Sequence, residues 1–257
     1  MGSNAVDLYP RTALVTGGSR GIGRGICELF AAAGARVAVH CRRDRSAAEA
    51  VLEQLPGHGH GLLQADLADP EQAATLAGRA AEHLGRLDIV VNNAGIFELH
   101  DIAGLARESW IAAWERTVAV NLSGAAHVIH GAIPHLRAAG GGHIVNVTSR
   151  GAFRGEPEAP AYGAAKAGLN SLSQSLALAL AGDGIHVVAV APGWVETDMT
   201  REVLQSPRGE EIRRQSPLAR TATVREVAET VLFVVSGRAD ALTGGVIDVN
   251  CASHLRS

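Results

Sequence analysis

The feature that most constrains this chain's fold is a regular alternation of short Val- and Ile-rich runs with longer Ala- and Leu-rich stretches. The runs predict strands at 12–16, 36–40, 61–66, 87–95, 142–149, 185–193 and 244–250. Nearly continuous apolar strands are typical of parallel sheets that are covered on both faces. Strand–helix alternation with right-handed crossovers then gives an α/β fold, with a doubly wound parallel sheet of about seven strands and helices on both faces.

The stretches between the strands predict helices at 21–35, 45–54, 70–84, 106–138, 161–181 and 224–236. No linker and no internal repeat divides the chain, so we predict a single domain over 1–257 with an N-terminal extension at 1–10. The segment 193–223 has no clear element apart from a short helix near 198–205. A long irregular segment in a compact domain is usually functional, and we interpret this one as a substrate lid.

Charge and cysteine content exclude several classes of protein. The net charge of −3 offers no basic face for a nucleic acid. The three cysteines are far apart, which is typical of reduced thiols in a cytosolic protein. No run approaches the roughly 18 apolar residues of a membrane span, and the opening residues lack a signal-peptide pattern. The histidines have no metal-ligand spacing. We expect a cytoplasmic protein with no metal, no membrane and no nucleic-acid partner.

A glycine-rich loop, "TGGSRGIG" at 16–23, follows the first strand and opens the first helix. Its spacing, G-x-x-x-G-x-G, differs from the G-x-G-x-x-G dinucleotide fingerprint. The physical basis is shared: a tight turn, a close backbone approach and a helix N-terminus that attracts phosphate. The loop therefore predicts a dinucleotide site, and the alternative is an ordinary glycine-rich turn.

The end of the second strand, "VHCRRDR", indicates which dinucleotide would bind. In NAD sites an acidic residue at this tip accepts the ribose hydroxyl, whereas arginine accommodates the 2′-phosphate of NADP. Here Cys41 stands at the tip, Arg42 and Arg43 follow, and Arg20 lies in the glycine loop. Guanidinium groups pair bidentately with phosphate, so NADP(H) is favoured over NAD(H). The alternatives are a solvated turn and a role for Asp44 at the ribose.

The stretch "AYGAAKAG" contains Lys166, the only lysine of the chain, four residues after Tyr162, one of two tyrosines. Residues four apart share one face of a helix. A nearby cation favours the phenolate and lowers a tyrosine pKa from its usual value of about 10. Such a pair can transfer a proton at a carbonyl–alcohol centre. The alternative is an exposed helix start with a solvated lysine.

Together with these motifs, "NNAG" at 92–95, Asn121 in "AVNLSG", Ser149 in "NVTS" and "PGWVET" at 192–197 make the chain resemble the short-chain dehydrogenase/reductase family. The match covers about 11–253 and is similar to 3-oxoacyl-acyl-carrier-protein reductase-like members, including the ending "TGGVIDVN". Cys251 departs from the glycine that such reductases often carry. The resemblance implies a Rossmann-type oxidoreductase that assembles as a homotetramer.

The resemblance also implies a catalytic set of Asn121, Ser149, Tyr162 and Lys166. Tyr162 would be the general acid or base, Ser149 would bind the substrate oxygen, Lys166 would hold the ribose, and Asn121 would position a water. The predicted cofactor-binding residues are Gly17, Ser19, Arg20, Gly21, Ile22, Gly23, Cys41, Arg42, Arg43, Asp66, Leu67, Asn93, Ala94, Gly95, Tyr162, Lys166, Pro192, Gly193, Val195 and Thr197.

The sequence indicates less about the substrate than about the cofactor. Arg150, Arg154 and Trp194 border the predicted site and are candidate substrate contacts; for the arginines, a surface loop balanced by glutamates is the alternative. Helix 161–181 offers no basic residue besides Lys166, which weighs against docking of an acidic carrier protein, although arginines at 201–214 could partly replace a basic face.

Three hypotheses about function follow: an NADPH-dependent reductase of carbonyls such as 3-oxoacyl thioesters, a dehydrogenase of a sugar, steroid or other secondary alcohol, and a non-catalytic nucleotide sensor. The sensor would be expected to lack one of the four catalytic residues, and none is missing.

Overall fold

The structure, a computed structural model, describes residues 6–256 and is built on one seven-stranded sheet of order β3-β2-β1-β4-β5-β6-β7. All six neighbouring pairs are parallel, as predicted. The strands are β1 (Thr12–Val15), β2 (Arg36–Cys41), β3 (Gly61–Gln64), β4 (Ile89–Asn92), β5 (Gly142–Val147), β6 (Ile185–Pro192) and β7 (Val246–Val249). The predicted strand positions are confirmed, with shorter ends at the loops that leave β3 and β4.

Helices cover both faces of the sheet. They are α1 (Gly21–Ala32), α2 (Arg45–Gln54), α3 (Pro70–Leu84), α4 (Arg107–Val118), α5 (Ala125–Ala138), α6 (Gly151–Arg154), α7 (Pro160–Leu180), α8 (Arg201–Gln205), α9 (Pro207–Arg214) and α10 (Val224–Val234). One apolar cluster joins the sheet to α1, α2 and α10, and a second joins it to α3, α5 and α7. Of the helices at residues 6–256, none has the length and apolar character needed to cross a membrane.

Three segments differ from their sequence predictions. The long helical region is interrupted by a π-helical turn, Ala119–Gly124, between α4 and α5. The segment 193–223 is more ordered than predicted because α8 and α9 occupy much of it. The predicted extension begins with residues 1–5, outside the described part, but Leu8 is fully buried and its amide donates to the carbonyl of Ala33.

The order of the strands creates a crevice between β1 and β4. The chain builds β1, β2 and β3 in one direction and then places β4 on the other side of β1. Loops that follow β1 and β4 therefore leave the sheet toward opposite faces. In doubly wound sheets, ligands bind at this switch point, outside the carboxyl ends of the strands.

A small residue allows α5 to lie close against α3. A Cβ atom on Gly131 of α5 would overlap the backbone carbonyl of Ala74 on α3, and backbone cannot rotate away as a side chain can. Gly78, also on α3, would meet only the end of the His135 side chain, at 3.3 Å. The spacing of the two helices thus depends on Gly131 and not on Gly78.

We predict that Gly131→Ala lowers the free energy of unfolding by about 1–3 kcal/mol, since overpacking outweighs the gain in helix propensity. Gly78→Ala is the matched control, and its effect should lie between neutral and a gain of about 1 kcal/mol. Urea unfolding of both variants measures the difference. Equal stabilities would show that the helices separate without cost.

Candidate active site

A cleft of about 430 Å³ lies at the carboxyl ends of the strands, over the β1–β4 switch point. Its walls come from the loops after β1, β2, β3 and β4 on one side and from the ends of β5 and β6 on the other. The predicted residues that line it are Gly17, Ser19, Arg20, Gly21, Ile22, Cys41, Arg42, Arg43, Asp66, Leu67, Asn93, Ala94, Gly95, Ser149, Tyr162, Lys166, Pro192, Gly193, Val195 and Thr197.

The glycine loop gives this cleft a phosphate-sized cradle. Gly17 and Gly21 have φ values of 63° and 53°, a left-handed backbone that favours glycine. At Gly17 a Cβ would lie 2.9 Å from the Cα of Ala94. Helix α1 begins in the cleft after Arg20, and no side chain caps its N-terminus, whereas Asp44 and Asp69 cap α2 and α3. Its first amide groups are therefore available to an anion.

Gly23 has a different role from its neighbours in the loop. It does not line the cleft, and a Cβ at this position would overlap the carbonyl oxygen of Gly17. The geometry gives Gly23 a packing role, and its contact with a cofactor stays a prediction. A glycine is needed there so that α1 can pack beneath the loop.

The tip of β2 is strongly positive. Arg42 and Arg43 are exposed at the cleft, and Arg20 lines it from the glycine loop. Asp44 also lines the cleft, but its carboxylate accepts hydrogen bonds from the Ala47 amide and the Ser46 hydroxyl, each at 3.0 Å. These hydrogen bonds hold the pKa of Asp44 below its usual value. The carboxylate is thus occupied as the N-cap of α2.

Thr16 and Asn93 join the glycine loop to the end of β4. The Asn93 amide group donates to the carbonyls of Thr16 and Gly17, at 2.9 and 3.1 Å. The Thr16 hydroxyl accepts the backbone amides of Asn93 and Ala94, both at 3.0 Å. Asn93 therefore supports the cradle as well as lining the cleft.

Tyr162 lies in the first turn of α7 and Ser149 follows β5, so the tertiary fold brings the two hydroxyls together. Burial raises the pKa of Tyr162, while a hydrogen bond with Ser149 opposes that shift. The phenol ring also packs edge-on against Phe97, with centroids 5.1 Å apart. The direction differs from the lowered pKa predicted from the sequence, because burial outweighs the neighbouring groups.

Lys166 is buried one turn further along α7, which excludes the solvated lysine considered above. Its Nζ donates to the carbonyl of Val147 at 2.8 Å and lies 5.8 Å from the centre of the Tyr162 ring. Burial lowers the pKa of Lys166 to about 8. A flexible, compact ammonium fits this narrow position where a planar guanidinium would not.

Asn121 occupies the π-helical turn and does not line the cleft. Its side-chain amide forms two hydrogen bonds of 2.8 Å with the backbone of Ile96, one to the amide and one to the carbonyl. A Cβ on Gly95 would lie 3.3 Å from Asn121 Oδ1 and 3.5 Å from Lys166 Nζ, so the two side chains converge at Gly95. The prediction of Asn121 near Lys166 fits this arrangement.

The candidate substrate contacts are placed differently from their predictions. Arg150 is buried, and its guanidinium donates to Ser253 Oγ at 2.6 Å and to Gln215 Oε1 at 2.7 Å. Arg154 shares the same Gln215 oxygen at 3.0 Å. Neither arginine nor Trp194 lines the cleft. The Arg150 guanidinium thus joins the end of the segment 193–223 to the C-terminal segment, and contact of these three residues with a substrate stays a prediction.

Sequence reasoning missed several residues of the site. His40 of β2 lines the cleft from a buried position, although it had no motif to mark it. Ile96, Val120, Val147, Thr148, Asp198, Met199 and Thr200 also line the cleft. Behind it, Asn92 donates to Asn146 at 2.9 Å, and Asn146 donates to Ser173 at 2.8 Å. In the sequence, only the "NNAG" motif pointed to this buried series of hydrogen bonds.

These features fit a dinucleotide. The cradle provides unpaired helix amides for a pyrophosphate, and the arginines provide charge beyond it. Thr197 lines the cleft beside Gly21 of the cradle, where a Cβ would lie 3.3 Å from Thr197 Cγ2. The Thr197 amide donates to Thr200 Oγ1 at 3.0 Å, which holds the backbone near the start of the segment 193–223.

Comparison with known proteins agrees with this geometry. A family model described as enoyl-(acyl carrier protein) reductase matches residues 17–253. The 3-oxoacyl-acyl-carrier-protein reductase FabG of Staphylococcus aureus is 36% identical over 95% of this chain and 98% of its own. The cis-4-hydroxycyclohexanecarboxylate dehydrogenase of Sinomonas cyclohexanicum is 37% identical over 93% and 95%. A crystal structure of a Burkholderia cenocepacia short chain dehydrogenase in complex with NADP has a TM-score of 0.86 and 33% identity, and covers 95% and 97% of the chains.

The buried lysine generates a prediction about pH. Because the pKa of Lys166 is about 8 when folded and 10.5 ordinarily, the unfolded chain binds more protons between these values. The contribution of Lys166 to the free energy of unfolding should therefore rise as the pH rises from 8 to 10. In Lys166→Met that rise should be absent. Urea unfolding of both proteins at pH 7, 8, 9 and 10 measures it, and parallel pH curves would contradict the burial of an ionisable Lys166.

Proposed function

Because the chain belongs to the short-chain dehydrogenase/reductase family, whose members of this type are NAD(P)-dependent oxidoreductases acting on CH–OH and C=O groups, we propose that it is an NADPH-dependent carbonyl reductase with Tyr162 as its proton donor. The observation that carries the proposal is the convergence of Ser149, Tyr162 and Lys166 in one cleft with the uncapped N-terminus of α1. Acid–base groups and a phosphate cradle in one cleft are what hydride transfer to a carbonyl requires.

The roles of the polar side chains follow from their positions. The Ser149 hydroxyl donates to the substrate carbonyl oxygen and stabilises the charge that develops there. Tyr162 donates its proton to the same oxygen, since its side chain and that of Ser149 line the same cleft. Lys166 supplies positive charge behind the phenol and donors to the cofactor ribose. NADPH, when bound, supplies the hydride.

The protonation state of Tyr162 suits the role of a proton donor in carbonyl reduction. Its raised pKa keeps the phenol protonated at neutral pH, which is the form that a proton donor needs. Oxidation of an alcohol would instead require the phenolate. Lys166, with a pKa of about 8, keeps most of its positive charge at neutral pH, so it can still favour the phenolate when an alcohol is oxidised.

The preference for NADPH is supported by the charges at the end of β2. Arg20, Arg42 and Arg43 line the cleft, and the one carboxylate among them, that of Asp44, is occupied by the cap of α2. A 2′-phosphate would meet guanidinium groups, whereas the two hydroxyls of an NAD ribose would lack a free acidic acceptor. The Burkholderia cenocepacia neighbour is itself described in complex with NADP.

For the substrate we propose an uncharged ketone with an apolar substituent, of which a 3-oxoacyl thioester is one example. Phe97 packs against Tyr162, and Ile96 and Met199 line the cleft. The Arg150 guanidinium is occupied by Gln215 and Ser253 and so does not offer a free charge to a substrate anion. A second candidate is oxidation of a ring alcohol, because the Sinomonas cyclohexanicum relative is a hydroxycyclohexanecarboxylate dehydrogenase.

We also propose a homotetramer. The solvent-facing side of α7 supports an interface, since Leu178 is 85% exposed on the helix that also exposes Ser171, Ser175 and Ala179. Large exposed apolar side chains often mark protein contacts. Light scattering during gel filtration tests this assembly, and a monomeric mass would contradict it.

The role of Tyr162 can be tested with the only other tyrosine as control. Tyr162→Phe should lower kcat for ketone reduction by about 10²- to 10⁴-fold, because proton donation is lost. The Kd for NADPH should change less than about twofold, since the ring is retained. Tyr9→Phe, at an exposed position, should leave both values unchanged. Steady-state kinetics measure kcat, and NADPH fluorescence measures Kd. Substantial turnover by Tyr162→Phe would contradict the assignment of Tyr162 as the proton donor.

Cofactor preference generates a separate prediction. Arg42→Ala should raise the Kd for NADPH by about tenfold, or about 1.4 kcal/mol, and leave the Kd for NADH unchanged. Arg45→Ala is the matched control, because Arg45 is equally exposed on α2 but pairs with Glu49 at 2.8 Å and does not line the cleft. Fluorescence titration at two salt concentrations should show a steeper salt dependence for NADPH. Parallel losses with both dinucleotides would contradict recognition of the 2′-phosphate.

A further inference from the structure

His40 is a buried histidine of β2 that the proposed chemistry does not use, yet it lines the cleft. It lies one residue beyond the last pairing of β1 with β2, where Val15 faces Val39 and the chain turns into the glycine loop. Its backbone carbonyl accepts the amide of Gly18 at 2.9 Å. Strand β2 therefore still binds the glycine loop at a point where its regular pairing with β1 has ended.

The imidazole ring of His40 forms two further hydrogen bonds. Its Nδ1 lies 3.1 Å from the backbone nitrogen of Gly17, and its Nε2 lies 3.1 Å from the carbonyl oxygen of Ala65. A backbone amide can only donate and a carbonyl can only accept. Nδ1 must therefore be unprotonated and Nε2 protonated, so the ring is neutral and in one defined tautomer.

The burial of the ring agrees with this state. Burial lowers the pKa of His40 to about 4, and the nearby charge of Arg79 acts in the same direction, whereas Asp66 opposes it. A protonated Nδ1 would face the Gly17 amide as a second donor, and that hydrogen bond would be lost. The neutral tautomer is thus the one that holds the loop at physiological pH.

The two partners of the ring belong to two different loops at the cleft. Gly17 opens the phosphate cradle in the left-handed conformation, and Ala65 directly precedes Asp66 and Leu67, which line the wall after β3. On its other side the cradle is held by Asn93. Among residues 6–256, His40 is the only side-chain acceptor for the Gly17 amide.

We infer that His40 is a positioning residue for the dinucleotide, which fixes the glycine loop against the β3 wall through its neutral ring. This inference rests on the proposed dinucleotide site. It assigns His40 no part in proton transfer and no direct contact with the reacting atoms. Loss of the ring should therefore weaken cofactor binding and leave the chemical step intact, because a bound cofactor meets the same Ser149 and Tyr162.

His60 provides a matched control. Its ring also bridges two backbone groups, since Nδ1 accepts the amide of Val37 at 3.1 Å and Nε2 lies 3.0 Å from the carbonyl of Pro56. It stands near the opposite end of β2 and does not line the cleft. A substitution there removes the same kind of bridge without touching the glycine loop.

The experiment compares His40→Leu with His60→Leu by NADPH fluorescence titration, steady-state kinetics at saturating NADPH, and hydrogen exchange of the Gly17 amide in the free protein. His40→Leu is expected to raise the Kd for NADPH at least about tenfold, to leave kcat within about twofold of the wild type and to expose the Gly17 amide to exchange. His60→Leu should change none of the three.

An unchanged Kd for His40→Leu, or equal losses in both variants, would overturn the inference. If His40→Leu folds poorly, His40→Asn and His40→Gln carry the test. The shorter Asn side chain can still present an acceptor to the Gly17 amide, whereas the longer Gln side chain reaches toward the carbonyl of Ala65. The His40→Asn variant should therefore bind NADPH more tightly than the His40→Gln variant. The reverse order of affinities would also overturn the inference. Failure of the wild type to bind either NADPH or NADH would instead refute the proposed function, and this inference with it.

Discussion

The site depends on the reversal of strand order at β1. Since β2 and β4 flank β1 on opposite sides, the loops after β1 and β4 part and leave a crevice at the carboxyl edge of the sheet. Parallel strands all end at that same edge, so residues distant in sequence meet there. The glycine loop occupies the crevice and is held from the β4 side by Asn93 and from the β2 side by His40. This double attachment shapes the cradle before any ligand is present.

Burial is the second constraint, and it acts in opposite directions on the two residues at the centre of the site. It raises the pKa of Tyr162 and lowers that of Lys166 to about 8, because both side chains lose the water that stabilises their charged forms. The phenol is thereby held as an acid. The lysine keeps a mobile proton close to neutral pH. A substrate oxygen that gains negative charge would find both groups poised to stabilise it.

Arg150 is a buried charge that connects distant segments of the chain. It follows Ser149 directly, yet its guanidinium donates to Gln215 at the end of the segment 193–223 and to Ser253 near the C-terminus. Both partners are neutral, so the desolvation of the cation is only partly offset, and burial lowers the pKa of Arg150 to about 10. The hydrogen bonds nevertheless hold three segments that are distant in sequence together beside Ser149. At the rim, the exposed pair Arg208–Glu158 adds a contact that solvent weakens.

Local spacing and short runs of adjacent residues are enough to predict the alternation of strands and helices, the glycine loop, the shared face of Tyr162 and Lys166, and the arginines after β2. Motifs at strand ends also predicted most residues of the cleft. Four features emerge only in the folded chain: the raised pKa of Tyr162, the hydrogen bond of Arg150 to Gln215, the packing role of Gly23 and the bridge made by His40. Such outcomes depend on which neighbours arrive from elsewhere in the chain and on how much water they remove, and neither quantity is encoded in the spacing of residues along one segment.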